Sequence, residues 1–231
     1  MINIVFICSI LVMGTLALEA ENLFPETYLR LGLQESGKEN TGRPDVLSYL
    51  SLVLERSVQK SERLLETTQV KDVITIFHGS SAPSLGIGQY IDRIFKYSCC
   101  SPSCFVVAHV YLERFIQRTN AILTSLNCHR LIITSIMVAA KFVDDAFFNN
   151  AYYARVGGVS TSELNKLEMK FLFGLDFRLH VSVDTFRKYC LLLEREGNGG
   201  GQQIERSIQA CRIKENWSSK DDSTCAATIA R

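Results

Sequence analysis

Apolar residues recur at helical spacing over most of the chain. Val46, Leu47, Leu50, Val53, Leu54 and Val58 mark one face of a helix opened by Pro44-Asp45. The β-branched run Val73-Ile74-Thr75-Ile76-Phe77 ends in Gly79-Ser80-Ser81-Ala82-Pro83. With no neighbouring run to pair with, it reads as an extended connector. From residue 84 the period is helical again. Tyr90, Ile91, Ile94, Phe95 and Tyr97 stripe one segment, and Ser101-Pro102 places a cap and then a proline at the start of the next. That helix runs through about Arg118, carrying Phe105, Val106, Ala108, Val110, Leu112, Phe115 and Ile116. Residues 131–143 hold ten apolar positions of thirteen, apolar nearly all round, which predicts the centre of a bundle. Asn149 to Val156 is a short helix closed by Gly157-Gly158. Ser160-Thr161-Ser162-Glu163 is a capping box, opening a helix with the stripe Leu164, Leu167, Phe171, Leu172 and Leu175. The pattern predicts an all-α protein.

The two ends differ from the middle. Residues 1–18 carry no Asp, Glu, Lys, Arg or His and 14 of them are apolar, as in a signal-peptide core. No Lys or Arg precedes that run, and Leu18-Glu19-Ala20 is a poor cleavage site. A start at Met13 accounts for the segment without a leader, and secretion is not expected. Residues 19–44 read as a mobile arm and 45–82 as an N-terminal helix with its connector. Residues 83–185 form the helical domain. After 185 the chain reads as a polar tail, residues 186–231, containing Gly197-Asn198-Gly199-Gly200-Gly201 and the only tryptophan, Trp217.

Composition narrows the functional classes. With 231 residues, 47% hydrophobic and a formal net charge of +1, the chain can bury one sizeable core. It lacks the basic excess of a dedicated nucleic-acid binder. Eight cysteines are too sparse for a disulfide scaffold. The cluster Cys99-Cys100…Cys104 with Cys128-His129 lacks metal-site spacing, so no metal or other cofactor is expected. Histidines 78, 109, 129 and 180 have no nucleophile and orienting acid at recognisable spacing, and Gly86-Ile87-Gly88 is no dinucleotide fingerprint. No small-molecule substrate, nucleic-acid partner or membrane partner is expected, and neither is an enzyme.

Two charges stand on apolar faces. Lys141 lies within the 131–143 helix, and Glu168 lies four residues from both Leu164 and Leu172. A lone buried charge costs several kcal/mol, so buried charges are normally paired. Either the two are partners across neighbouring helices, or each extends to solvent along its own stem.

Six segments together resemble the cyclin box. They are Tyr90-Ile-Asp-Arg-Ile-Phe-Lys-Tyr97, Tyr111-Leu-Glu-Arg-Phe115, His129-Arg-Leu-Ile-Ile-Thr134, Ala139-Ala-Lys-Phe142, Asn149-Asn-Ala-Tyr-Tyr-Ala154 with Val156-Gly-Gly158, and Glu163-Leu-Asn-Lys-Leu-Glu168. More narrowly the chain is similar to plant P-type, or U-type, cyclins, kin of the fungal phosphate-pathway cyclins. The resemblance implies a single five-helix box with an additional N-terminal helix and flexible termini. It implies a regulatory subunit that binds and activates a cyclin-dependent kinase, an A-type kinase being the expected partner, in cell-cycle or phosphate-linked control. It further implies that the third and fifth box helices hold the mobile C helix of the kinase. By that correspondence Lys141 and Glu168 bond kinase backbone groups, while Val138, Phe142, Leu172 and Phe177 make the apolar contacts. Arg93 and Glu113 correspond to a structural ion pair between the first two box helices. Asp92 and Lys96 replace apolar positions of the substrate-docking patch of mitotic-type cyclins, which argues against docking by that route. The alternative within the same fold is a scaffold that recruits partners without activating a kinase. Nucleus and cytoplasm, together or singly, are the expected locations.

The arm carries short motifs of its own. Lys38-Glu39-Asn40 matches a degradation-box tripeptide, and Arg30-Leu31-Gly32-Leu33 a destruction-box core. Leu29, Leu31 and Leu33 resemble a corepressor-recruiting motif, or alternatively pack on the box as a flap.

Overall fold

The computed structural model describes residues 25–33, 42–68 and 72–197, and every regular element among them is an α-helix. In chain order they are α1 (Pro25–Leu31), α2 (Asp45–Thr68), α3 (Ile87–Ser98), α4 (Pro102–Thr119), α5 (Cys128–Val143), α6 (Asn150–Gly157), α7 (Thr161–Gly174) and α8 (Val183–Gly197). The most apolar stretch of the sequence is the hub. Residues 131–140 of α5 are all buried, packed against α4 on one side and α6 and α7 on the other. The hydroxyls of Thr134 and Ser135 donate back to the carbonyls of Arg130 and Ile132, so these two buried polar side chains are satisfied within α5.

The caps follow the sequence at two places and depart at a third. Asn149 and Ser160 accept hydrogen bonds from the amides of Tyr152 and Glu163, fixing the starts of α6 and α7. Glu163 does not complete a reciprocal capping box, because its carboxylate takes Arg130 Nε at 2.7 Å instead. Ser101 makes no side-chain cap on α4. Its hydroxyl donates to Asp144 Oδ1 at 2.7 Å and its amide to Asp144 Oδ2 at 3.0 Å, tying the start of α4 to the end of α5. Between α6 and α7, Gly158 takes φ +72°, and a Cβ on Gly157 would lie 2.8 Å from Ile133 Cγ1. The Gly157-Gly158 closure thus serves turn geometry and close packing on α5 together.

The connector after α2 has no regular structure over residues 72–86, turns at residues 76–77, and is anchored by Phe77. Phe77 meets Phe115 of α4 edge-on at 5.3 Å, and Phe115 stacks on Phe171 of α7 at 4.9 Å. The Thr75 amide donates to Nδ1 of His78, whose Nε2 faces Asp72 at 2.9 Å.

The C-terminal reading needs correction. Part of the segment taken as polar tail is α8, whose Phe186, Cys190 and Leu193 are buried against α1, α2 and α4. Three apolar positions at spacings of four and three are enough for a docked helix in a charged setting. Glu194 of α8 accepts from Thr27 Oγ1 at 2.8 Å and Arg30 at 2.7 Å, so α1 is clamped to it. Leu31 and Leu33 are buried there while Leu29 is exposed, which matches the flap reading for two of the three leucines. Residues 1–18 with Met13, and the tripeptide Lys38-Glu39-Asn40, lie outside the described residues.

Candidate functional site

The two anomalous charges meet. Lys141 sits in the last turn of α5 and Glu168 midway along α7, and Nζ lies 2.6 Å from Oε1. Their side chains are 26% and 16% exposed, so the pair sits at the rim of the core and not inside it. A third residue completes the cluster. Asn150, at the start of α6, accepts from Lys141 through Oδ1 and donates through Nδ2 to Glu168 Oε2 at 2.6 Å. It also donates to Asn165 Oδ1 at 2.7 Å. Three helices therefore hold one ammonium and one carboxylate in fixed relative positions, each still partly exposed.

The same helices and the loops that follow them carry exposed apolar side chains among polar ones. Phe177 is 54% exposed and meets Phe173, 64% exposed, edge-on at 5.3 Å. Met169 of the same helix is also exposed, and Phe142 and Leu172 are half-buried. Phe147 and Phe148 are exposed on the loop after α5, and Phe148 stacks on Tyr152 at 4.0 Å. Asp176 and Phe177 both have left-handed φ, 55° and 56°. For a bulky non-glycine residue such a conformation costs on the order of 1–3 kcal/mol and persists only where its surroundings impose it. Here the Phe177 amide bonds the Leu172 carbonyl at 3.0 Å, closing α7 and leaving the ring in solvent. Contiguous exposed aromatic side chains of this kind are uncommon on a monomer surface and mark a candidate interaction site.

Two expectations are corrected. Val138 is only 2% exposed and belongs to the core, because it lies on the inward side of a helix buried nearly all round. Arg93 and Glu113 do not pair. Arg93 donates to the Arg155 carbonyl at 3.2 Å, near the C-terminal end of α6, where the helix dipole favours a cation. Glu113 turns the other way, into a groove of about 440 Å³ between α2 and α4 lined by Leu54, Leu65, Ile116 and Leu123. Loss of water around it raises its carboxyl pKa, partly offset by a hydrogen bond from Gln117. Sequence reasoning had not singled out Asn150, Met169 or Phe173. The signal for the last two was their position on α7 off the buried stripe. Asn150 gave none, since an asparagine at a helix start usually reads as a cap. Arg30 and Leu33 of the destruction-box-like tetrapeptide are both engaged, the first with Glu194 and the second in the core.

Among the described residues no group of three or more His, Cys, Asp or Glu side chains is arranged to hold a metal ion, and no helix is long and apolar enough to cross a membrane. His109 is fully buried in α4 beside Tyr189, and desolvation pushes its pKa down to about 4. It is a neutral core side chain.

The described residues thus form a helical bundle with one candidate interaction surface. The cyclin family model matches residues 48–179. Cyclin-P3-1 of Oryza sativa subsp. japonica is 57% identical over 186 residues, covering 80% of this chain and 79% of that protein. Cyclin-U3-1 of Arabidopsis thaliana is 51% identical over 222 residues, covering 95% of this chain and 100% of that protein. Cyclin-U4-1 of the same plant is 50% identical over 152 residues, covering 65% of this chain and 75% of that protein. The chain belongs to the cyclin family, and the proteins it resembles are plant P-type and U-type cyclins.

Proposed function

We propose that this chain binds a cyclin-dependent kinase through the rim formed by α5 and α7 and holds that kinase in its active state. The observation that carries the reading is the Lys141–Glu168 pair, fixed by Asn150 within an exposed aromatic surface. Lys141 donates to a backbone carbonyl of the kinase C helix and Glu168 accepts a backbone amide. Phe142, Leu172 and Phe177 cover the apolar face of that helix, joined by Met169 and Phe173. The charges need no reorganisation at the moment of contact, because the free chain already holds them in place. Activation follows from differential binding: moving a kinase from about 1% to about 99% active requires roughly 5.5 kcal/mol of preference for the active form. An aromatic cluster and two charge-assisted hydrogen bonds, each worth about 1.5–3 kcal/mol, supply energy on that scale. An A-type kinase is the expected partner, acting in the nucleus or cytoplasm in cell-cycle or phosphate-linked control.

The test is phosphorylation of a generic substrate by purified plant A-type kinase with and without the full chain. Saturable stimulation supports the reading. Capture of the kinase without stimulation would instead make the chain a scaffold.

A further inference from the structure

We infer that the groove between α2 and α4 is a docking site separate from the α5–α7 rim, and that its occupant is a helix of a partner protein carrying one Lys or Arg among apolar side chains. The first observation is how α2 is packed. Every buried residue of this helix lies between Val46 and Val58, and residues 59–68 include none. Leucines continue nonetheless: Leu64 is 53% exposed and Leu65 half-buried. Most helical stability comes from packing an apolar face, and this half of α2 leaves its leucines uncovered.

The shape of the groove selects an elongated occupant. On α2, Leu54, Ser57, Ser61, Leu65 and Thr68 recur at intervals of three and four. They form one stripe of about four turns, about 21 Å long at 1.5 Å per residue. Leu112, Glu113 and Ile116 of α4, followed by residues 121–123, make the opposite wall. The two walls are tied together, because the Ser125 amide donates to Glu62 Oε1 at 2.8 Å. Asn127 fixes the loop between them, donating to the Ile122 carbonyl at 2.7 Å and accepting from the Thr124 amide at 2.9 Å. A preformed cleft of this length between two helices matches the way an amphipathic helix is held.

The second observation is charge. Glu113 is the one charged side chain among the residues that line the groove, and no ion pair among the described residues includes it. Its neighbour Arg114 is engaged elsewhere, donating to the carbonyls of Arg178 and His180. Loss of water raises the Glu113 carboxyl pKa, so the ionised form gains from a cation brought into the groove. An apolar helix with one base supplies cover for the leucines and a counter-charge for Glu113 together. The groove shares no residue with the rim, so substitutions here leave the side chains proposed to hold the kinase in place.

The experiment selects binders to the folded full chain from a displayed library of helical 15-residue peptides and measures their affinities by fluorescence anisotropy at pH 8. The expected binders carry apolar residues at spacings of three and four, with one Lys or Arg on the same face. Leu64→Glu changes a side chain that is already exposed and should weaken them at least about tenfold. Glu113→Gln should weaken them by about the same factor, the loss of a charge-assisted hydrogen bond. Replacing the peptide's base by Gln should cost that factor against wild type and nothing further against Glu113→Gln, a coupling that a merely structural role would not produce. Melting curves of both variants show that binding is read on folded protein. The inference is overturned by an absence of binders, by binders indifferent to Leu64→Glu, or by binders whose affinity shows no coupling between a base and Glu113. A wild-type dimer in sedimentation that Leu64→Glu dissociates would also overturn it, by placing a second copy of the chain in the groove.

Discussion

The α5–α7 rim and the α3–α4 region each offer an acid and a base on consecutive or packed helices, yet only the rim joins them. Lys141 and Glu168 lie 2.6 Å apart with Asn150 bonded to both. Arg93 and Glu113 stand on helices consecutive in the chain, but Arg93 reaches the end of α6 and Glu113 faces the groove under α2. The difference lies in what surrounds each charge. At the rim a third helix supplies an amide that satisfies both partners. At the α3–α4 edge each charge finds a better local partner in another direction: a helix-end carbonyl for one, Gln117 for the other. Charge on an apolar face therefore marks a place where the surroundings were shaped for it, and its partner depends on the third element in contact.

The largest effect comes from the core beneath both regions. Phe171→Ala removes the ring stacked on Phe115 and should cost about 3–5 kcal/mol, read as a fall in the denaturation midpoint. It should weaken both regions together, which makes it the reference against which local changes are judged. Next is pH. His109 has a folded pKa of about 4 against an ordinary 6.5, so the unfolded chain binds the proton more tightly. Stability from this group is therefore complete above about pH 6.5 and falls as pH drops through 4, by roughly 3 kcal/mol in all. His109→Leu should flatten that limb in melts between pH 4.5 and 7.

Smaller effects separate the rim from the α3–α4 edge directly. In a double-mutant cycle, Lys141→Ala and Glu168→Ala should couple by about 0.2–1 kcal/mol, as a partly exposed pair does. Arg93→Ala and Glu113→Ala should add within about 0.5 kcal/mol, since the two side chains share no bond. Coupling at the second pair equal to that at the first would erase the contrast. The smallest effect is Glu113→Gln. Because the folded carboxyl has a raised pKa, its stabilising contribution belongs to low pH and is lost as pH rises through that value. The neutral amide should raise the melting midpoint at pH 8 and change it less at pH 5.

Much of the fold was legible because its helices are strongly periodic and bounded by Ser, Asn, Pro and Gly. Lys141 and Glu168 stood out for a related reason: in a run as apolar as 131–143 a single charge breaks the pattern. The sequence was less informative where an element is short in apolar residues, as in α8, whose Phe186, Cys190 and Leu193 lie among charges. Capping residues also misled. Ser101 has the identity of a cap, yet Asp144 outcompetes its own helix for the hydroxyl. Asn150 looked like one more helix-start asparagine, and only the convergence of three helices shows what it holds. The partners that separate Arg93 from Glu113, the Arg155 carbonyl and the groove beside α2, leave no trace in residue spacing.

The central claim is that the rim charges serve a partner and not the fold. Its most direct test is capture of a plant A-type cyclin-dependent kinase by the full chain, wild type beside Glu168→Ala, with thermal melts of both. The account predicts that capture falls at least about tenfold in the variant, the loss of a charge-assisted hydrogen bond, while the variant still melts cooperatively within a few degrees of wild type. Undiminished capture by Glu168→Ala, or a folded wild type that captures no kinase, would contradict it.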